Sequence, residues 1–139
     1  MFEALDIGAS GLAAQRVRMN TIAQNVLNQN TTRNEQGEAI PFRRRVVLFQ
    51  AGREANSSLG EPAKPGVHVS GIELDQSPFK RKFDPGHPDA DKDGYVNLPN
   101  IDLSTEFVNM LEASRAFEAN VTMMETTKAM LNSSFRLLA

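Results

Sequence analysis

An uninterrupted stretch of 36 residues near the end of the chain constrains the fold most. Residues 103–138 contain neither glycine nor proline, and a helix of this length extends about 54 Å at 1.5 Å per residue. Asp102 or Ser104 can cap its start. Two sets of residues recur along it at heptad spacing, and eight of the ten are apolar: Phe107, Ser114, Val121, Lys128 and Phe135 in one, and Met110, Phe117, Met124, Leu131 and Leu138 in the other. This helix is longer than a globular domain of this size is wide. A second helix, or other molecules, must therefore cover part of its apolar stripe.

A second and weaker helix is predicted over residues 3–28. Gly8 and Gly11 interrupt it, and each glycine costs about 1 kcal/mol in a helix interior. The helix is therefore expected to be marginal on its own. Its apolar residues, most of them spaced by seven, are Leu5, Leu12, Met19, Ile22 and Val26. We expect it to pair with the C-terminal helix as a coiled coil.

The segment between the helices reads as a small β-rich insert. It holds all seven prolines of the chain. Residues 42–49, 67–74 and 79–83 are rich in the β-branched and aromatic residues that favour strands. Residues 51–66 carry glycine, serine and proline and predict a long mobile loop. The predicted fold is mainly α with this insert, divided into residues 1–30, 31–101 and 102–139.

Charge is distributed unevenly over the 139 residues. The net charge of −2 argues against a dedicated nucleic-acid binder. Residues 41–83 carry a net charge of +4 and residues 84–139 a net charge of −5, which fits stacking of like subunits. The charged side chains expected to guide stacking rather than folding are Arg43, Arg44 and Arg45, and Glu106, Glu112 and Glu118. The run of Lys80, Arg81 and Lys82 is interpreted in the same way, as a solvated or partner-facing strand surface.

One segment resembles half of a calcium-binding loop. Asp89, Asp91, Asp93 and Gly94 occupy positions 1, 3, 5 and 6 of an EF-hand loop. Position 12 is Asn100 rather than glutamate, and nearby prolines exclude an entering helix. The segment is interpreted as an Asx-rich turn, and a calcium-binding interaction module remains the alternative function. We expect no cofactor.

Nothing in the chain predicts catalysis. It contains no cysteine, which excludes disulfides and thiolate chemistry. His68, Ser70 and Asp75 could be drawn as a triad, but no nucleophile elbow surrounds them. His87 lies between prolines and is expected to serve a rigid turn. We therefore expect neither an enzymatic activity nor a small-molecule substrate.

The N-terminus predicts no cleaved secretory signal. It lacks a basic segment, and Glu3 and Asp6 interrupt the apolar stretch. No apolar run approaches the 18–20 residues or so of a membrane span.

Three motifs together resemble one known family. They are NTIAQNVLN at residues 20–28, ASRAFEAN at residues 113–120, and PGHPDAD at residues 85–91 followed by GYV at 94–96 and PN at 99–100. The first two are similar to the terminal signatures of bacterial flagellar rod and hook proteins. The third is similar to the proximal rod members of that family.

The resemblance implies a structural subunit of the flagellar basal-body rod, assembled helically in the periplasm to transmit torque. It implies export by the flagellar type III apparatus without a cleaved signal peptide. The implied partners are other copies of the chain, rod proteins of the FlgB, FlgF and FlgG types, and the rod-base protein FliE. Residues from the stripes and motifs expected to contact other subunits are Leu5, Leu12, Met19, Ile22, Asn25, Val26, Asn28, Phe107, Met110, Ser114, Arg115, Phe117, Asn120, Val121, Met124, Leu131, Phe135 and Leu138.

Overall fold

The computed structural model describes residues 2–52 and 65–138. The elements in chain order are α1 (Phe2–Leu27), β1 (Arg45–Ala51), β2 (Val67–Leu74), β3 (Lys80–Phe83), β4 (Tyr95–Leu98) and α2 (Leu103–Leu138). This confirms a mainly α fold with a small β insert and the predicted bounds of the long helix. Most of the loop predicted over 51–66 lies outside the described residues.

The two helices pack side by side in opposite directions. Contacts between them pair Asn25 with Glu106, Arg18 with Glu112, Gly11 with Asn120 and Gly8 with Met124. At this constant offset, residues 130–138 of α2 extend past the first described residue of α1, a distance of about 14 Å. Neither helix has a stretch that is both long and apolar enough to cross a membrane.

The start of α2 is fixed by a side-chain cap. The Asp102 carboxylate accepts hydrogen bonds from the Thr105 amide at 3.0 Å and from the Thr105 hydroxyl at 2.9 Å. Asp102 is thus the N-cap residue, because its side chain accepts a hydrogen bond from the backbone amide three residues later. Of the two predicted capping residues, the structure selects Asp102 rather than Ser104.

The described part of the insert forms two separate antiparallel hairpins. In the first, β1 pairs with β2 from Arg45↔Leu74 to Ala51↔Val67, with an irregularity after Leu48. This hairpin lies against α1, where the Val67 amide donates to the Ser10 hydroxyl at 3.1 Å. In the second, β3 pairs with β4. Strand β4 was not predicted, because four residues after a turn are too few to show a period of two.

The buried face of α2 differs from the predicted one. Along the N-terminal two thirds of the helix, the fully buried positions precede the first heptad set by one residue: Glu106, Ala113 and Thr127 are buried in place of Phe107, Ser114 and Lys128. Phe107 and Phe135 are 59% and 60% exposed. The contact line thus lies one residue before the first heptad set, on small and polar side chains, whereas Met110, Phe117 and Met124 of the second set are half-buried along it.

Candidate assembly surfaces and the polar junction that positions them

Five polar residues meet where the end of α1, the first hairpin and the start of α2 converge. We call them the polar junction: Asn25, Arg44, Asp75, Asn100 and Glu106. Asn25 and Glu106 are buried, and the other three are half-buried. Because buried polar groups are costly unless paired, their hydrogen bonds account for the arrangement of the three elements.

Asn25 joins the two helices to the first strand. Its side-chain Nδ2 donates to the Arg45 carbonyl at 2.9 Å, and its Oδ1 accepts from the Arg45 amide at 3.0 Å. The amide side chain thus imitates the backbone of a neighbouring strand at the start of β1. Nδ2 also donates to Glu106 Oε2 at 3.1 Å. This geometry gives a physical role to the second asparagine of the N-terminal motif.

Glu106 and Arg44 form an ion pair inside the protein. The Glu106 side chain is fully buried, and its Oε1 accepts from Arg44 Nε at 2.8 Å. Burial disfavours the charged form of Arg44, but the hydrogen bond and charge of Glu106, with a smaller contribution from Asp75, raise the net pKa of the guanidinium. The expectation that these two residues act in stacking rather than in folding is wrong, because each neutralises the other within one chain.

Asn100 and Asp75 complete the junction. Asn100 Oδ1 accepts from the Arg44 amide at 2.9 Å, and its Nδ2 donates to the Asp75 carbonyl at 3.0 Å. Hydrogen bonds from Ser77, and secondarily from Arg44, lower the pKa of the Asp75 carboxyl. These bonds tie the far end of β2 to the residues that lead into α2.

The other two arginines of the triplet also serve local contacts. Arg43 lies over the Phe79 ring, 4.4 Å from its centroid, and donates to the Asp75 carbonyl at 3.0 Å. Arg45 lies 5.2 Å from the centroid of Phe42. Contacts of this kind hold guanidinium groups against aromatic faces. All three arginines therefore contact other residues of the same chain, so the triplet does not present three free cations to a phosphate backbone.

The loop that resembles a calcium site is closed by protein donors. Asp89 Oδ1 pairs with Arg33 Nη2 at 2.6 Å, and Asp89 Oδ2 accepts from the Thr32 hydroxyl at 2.8 Å. These contacts lower the pKa of the Asp89 carboxyl. Asp91 Oδ1 accepts the backbone amides of Asp93 and Tyr95 at 3.0 and 2.9 Å, which is an Asx-type turn.

The contacts of Asp89 and Asp91 do not support the alternative function of a calcium-binding module. Within residues 2–52 and 65–138, no group of three histidine or acidic side chains could hold a metal ion. Gly94 completes the turn with a φ of 81°, a conformation that glycine adopts without strain.

Among the described residues, the two histidines and their neighbours form no catalytic arrangement. His68 Nδ1 contacts the Gly52 carbonyl, while the Ser70 hydroxyl donates to the Leu48 carbonyl at 3.3 Å. Asp75 belongs to the polar junction. His87 Nδ1 accepts the Asp89 amide at 3.0 Å, so this ring stabilises the turn in which it lies.

Two glycines bring the helices together away from the junction. A Cβ atom on Gly8 would lie 2.7 Å from Met124 Cγ, and one on Gly11 would lie 2.8 Å from Asn120 Nδ2. We call Gly8, Gly11, Asn120 and Met124 the glycine seam. The glycines that weaken α1 as an isolated helix thus allow α2 to approach it closely.

The predicted contact residues fall into three groups. Two are buried, namely Ile22 and Asn25. Twelve are half-buried: Leu5, Leu12, Met19, Val26, Asn28, Met110, Ser114, Phe117, Asn120, Val121, Met124 and Leu131. Three are exposed, namely Phe107, Arg115 and Phe135. The side chain of Leu138 lies outside the described residues.

Four junction residues were missed as a site. Arg44 and Asp75 lie far in the chain from each other and from the pair Asn100 and Glu106, so no local spacing links the four. One feature of the sequence could have indicated that Glu106 faces α1. It lies seven residues before Ala113 and fourteen before Asn120, so all three share one face of α2.

Comparison with known proteins gives the family. Residues 5–33 match the family model described as flagella basal body rod protein, and residues 92–137 match flagellar basal body rod FlgEFG protein C-terminal. The flagellar basal-body rod protein FlgC of Bacillus subtilis is 41% identical, over 98% of this chain and 97% of its own length. The chain belongs to the FlgC family of flagellar basal-body rod proteins.

Other FlgC proteins agree. That of Borreliella burgdorferi is 40% identical over 99% of this chain and 97% of its own length, and that of Salmonella typhimurium is 36% identical over 95% and 93%. The proximal rod resemblance is thereby confirmed, and so is the prediction of a structural protein rather than an enzyme.

Proposed function

We propose that this FlgC-family chain is a subunit of the proximal rod that assembles helically through its terminal helices and transmits torque. The observation that carries the proposal is the unpaired end of α2. Met130, Phe135 and Leu137 lie in the part that extends past α1 and are 53%, 60% and 88% exposed. Apolar side chains concentrated at one end of a subunit are typical of an interaction surface.

The geometry of this end favours continued stacking. We infer that this surface at the tip of the helix pair contacts a different surface of the next molecule. Such a heterologous contact builds a helical array where the rotation between subunits does not close into a ring. The proposal thus assigns to Phe135 and its neighbours a contact between subunits, as the sequence predicted.

We also propose that α1 and α2 form a coiled coil. Residues of α2 that are buried or half-buried recur at alternating intervals of four and three, at positions 106, 110, 113, 117, 120 and 124. This spacing supports knobs-into-holes packing along an antiparallel pair. A stiff pair of helices is suited to carry torsional load.

The partners and the route to the rod are part of the same proposal. Family membership supports contacts with rod proteins of the FlgB, FlgF and FlgG types and with FliE. It also supports a periplasmic rod location after type III export without a cleaved signal.

Substitution at the unpaired end tests the role in assembly. Phe135→Ser combined with Leu137→Ser should abolish rods and swimming, because the apolar contact with the next subunit is lost. The melting temperature of the purified chain should change little, because both side chains are already exposed. Asn132→Ser, on the same exposed turns, is the matched control and should swim normally. Intact basal bodies in the double variant, counted by electron microscopy, would contradict the proposal.

A further inference from the structure

The β3–β4 hairpin presents a preformed surface of three large side chains. We call Arg81, Phe83 and Tyr95 the hairpin patch. The Arg81 guanidinium lies 4.7 Å from the Tyr95 ring centroid, and the Phe83 and Tyr95 rings meet edge to face at 5.3 Å. Phe83 pairs with Tyr95 across the strands, and Arg81 lies two residues before Phe83, so all three share one face. The opposite face carries Val96, which is buried.

These side chains are both exposed and held in place. Phe83 is 62% and Tyr95 is 39% exposed. Phe83 packs over Gly94, where a Cβ would lie 3.0 Å from its ring, and Arg81 Nη2 is held by Asp91 Oδ2 at 3.1 Å. Arginine and tyrosine are enriched at the energetic centres of protein interfaces. Because they are already ordered, binding a partner costs little side-chain entropy.

A complementary surface lies on the outer side of α2. We call Phe107, Leu111 and Glu118 the helix patch, since intervals of four and seven place them on one face. Phe107 and Leu111 are 59% and 61% exposed. Glu118 is exposed and forms no ion pair within the described part of the chain. The helix patch therefore offers apolar surface beside a free carboxylate, which matches aromatic rings beside a guanidinium.

We propose that the hairpin patch of one subunit docks on the helix patch of a second copy of this chain, with Arg81 facing Glu118. The signs of charge support this occupant, because the hairpin patch carries the cation of Arg81 and the helix patch carries the carboxylate of Glu118. The two surfaces differ, so the contact is heterologous, which is the type that builds a helical array where the rotation between subunits does not close into a ring. The inference rests on the proposed rod function and names a second contact, separate from the unpaired end of α2.

Disulfide trapping tests the contact in assembled rods. The chain contains no cysteine, so Tyr95→Cys with Leu111→Cys introduces the two thiols needed. Mild oxidation of basal bodies should give products at multiples of the chain mass. Lys82→Cys with Leu111→Cys is the control, because Lys82 lies on the opposite face of β3, and it should give none. Motile cells whose rods give no ladder, or a product with a different rod protein, would overturn the inference and leave the rod function intact.

Charge exchange tests it without cysteines. Arg81→Glu and Glu118→Arg should each reduce rod yield several-fold, while the two together should restore at least half of it. A purely structural role of Arg81 within its own hairpin would not be rescued by a change on α2. A double variant no better than either single variant, or singles with full rod yield, would overturn the inference.

Discussion

The same two helices meet in two different ways at the two ends of their contact. At the polar junction, Glu106 and Asn25 are buried and bonded to each other and to the first strand. At the glycine seam, Gly8 and Gly11 lie against Met124 and Asn120 with no directional bond required. One end is fixed by hydrogen-bond geometry, and the other by close approach.

The difference separates specificity from adaptability. A buried ion pair with filled hydrogen bonds tolerates few arrangements, because any shift leaves a charge unpaired. At the glycine seam no charge is buried, and the flexible Met124 side chain can adjust its rotamer to the surface it contacts. The junction therefore holds the insert in a set orientation, whereas the apolar side chains of Met130, Phe135 and Leu137 at the far end of α2 remain exposed.

The largest expected effect comes from breaking the junction. Glu106→Ala leaves Arg44 and Asn25 without their buried partner and should lower the free energy of unfolding by about 3 kcal/mol. The control is Glu112→Ala, since Glu112 pairs with Arg18 at the surface and is 62% exposed, and it should cost less than about 1 kcal/mol. Chemical denaturation of the purified chain measures both. Equal losses would mean that the junction does not differ from a surface pair.

A smaller effect is expected at the glycine seam, with a sign that depends on the partner. Gly11→Ala should destabilise the chain by roughly 1 kcal/mol, because overpacking costs about 1–3 kcal/mol while helix propensity returns about 1 kcal/mol. In an Asn120→Ala background the clash disappears, so Gly11→Ala should raise the stability of the chain. Thermal unfolding of the four proteins in this cycle gives the result. Stabilisation by Gly11→Ala in both backgrounds would show that the helices are not tightly apposed there.

At low pH, the polar junction and the β-rich insert should lose stability before the glycine seam does. Hydrogen bonds lower the carboxyl pKa of Asp75, Asp89, Asp91 and Asp102, and none of these residues lies in the glycine seam. A carboxyl with a lowered folded pKa stabilises above its unfolded value of about 3.9, and the contribution is lost as pH falls through the folded pKa.

Amide exchange measured from about pH 6 to pH 3 should therefore show protection lost first in the insert. Asp89→Asn should weaken that pH dependence, because it removes the carboxylate paired with Arg33. Asp93→Asn serves as control, because the Asp93 side chain accepts no hydrogen bond from the described residues. Uniform loss of protection along both helices would contradict the distinction between the two ends.

The smallest expected effect is at Arg45. Its guanidinium is exposed and stacks on Phe42 at 5.2 Å, so Arg45→Gln should cost less than about 1 kcal/mol. Arg44→Gln, one residue earlier, should cost several times more stability, because it leaves the buried Glu106 carboxylate without its ion-pair partner. Denaturation midpoints of the two variants compare adjacent arginines directly. Similar midpoints would show that the triplet acts as one surface, as the sequence had predicted.

The sequence by itself determined both helices, three of the four strands that the structure describes, and the family. Leu103–Leu138 is helical because nothing in it interrupts a helix and Asp102 caps it. Val67–Leu74 is a strand with the predicted bounds. The terminal motifs are local strings, and so they indicate the rod family without any knowledge of packing.

Only the tertiary structure decided which faces meet and what the charges do. Periodicity measures hydropathy along one helix, whereas burial depends on how closely a second helix approaches, and Gly8 and Gly11 let α1 lie directly against Met124 and Asn120. Arg44 and Glu106 lie 62 residues apart in sequence. Their pairing, and the use of Asn100 as a link rather than a failed calcium ligand, arises from chain segments that only the fold brings together.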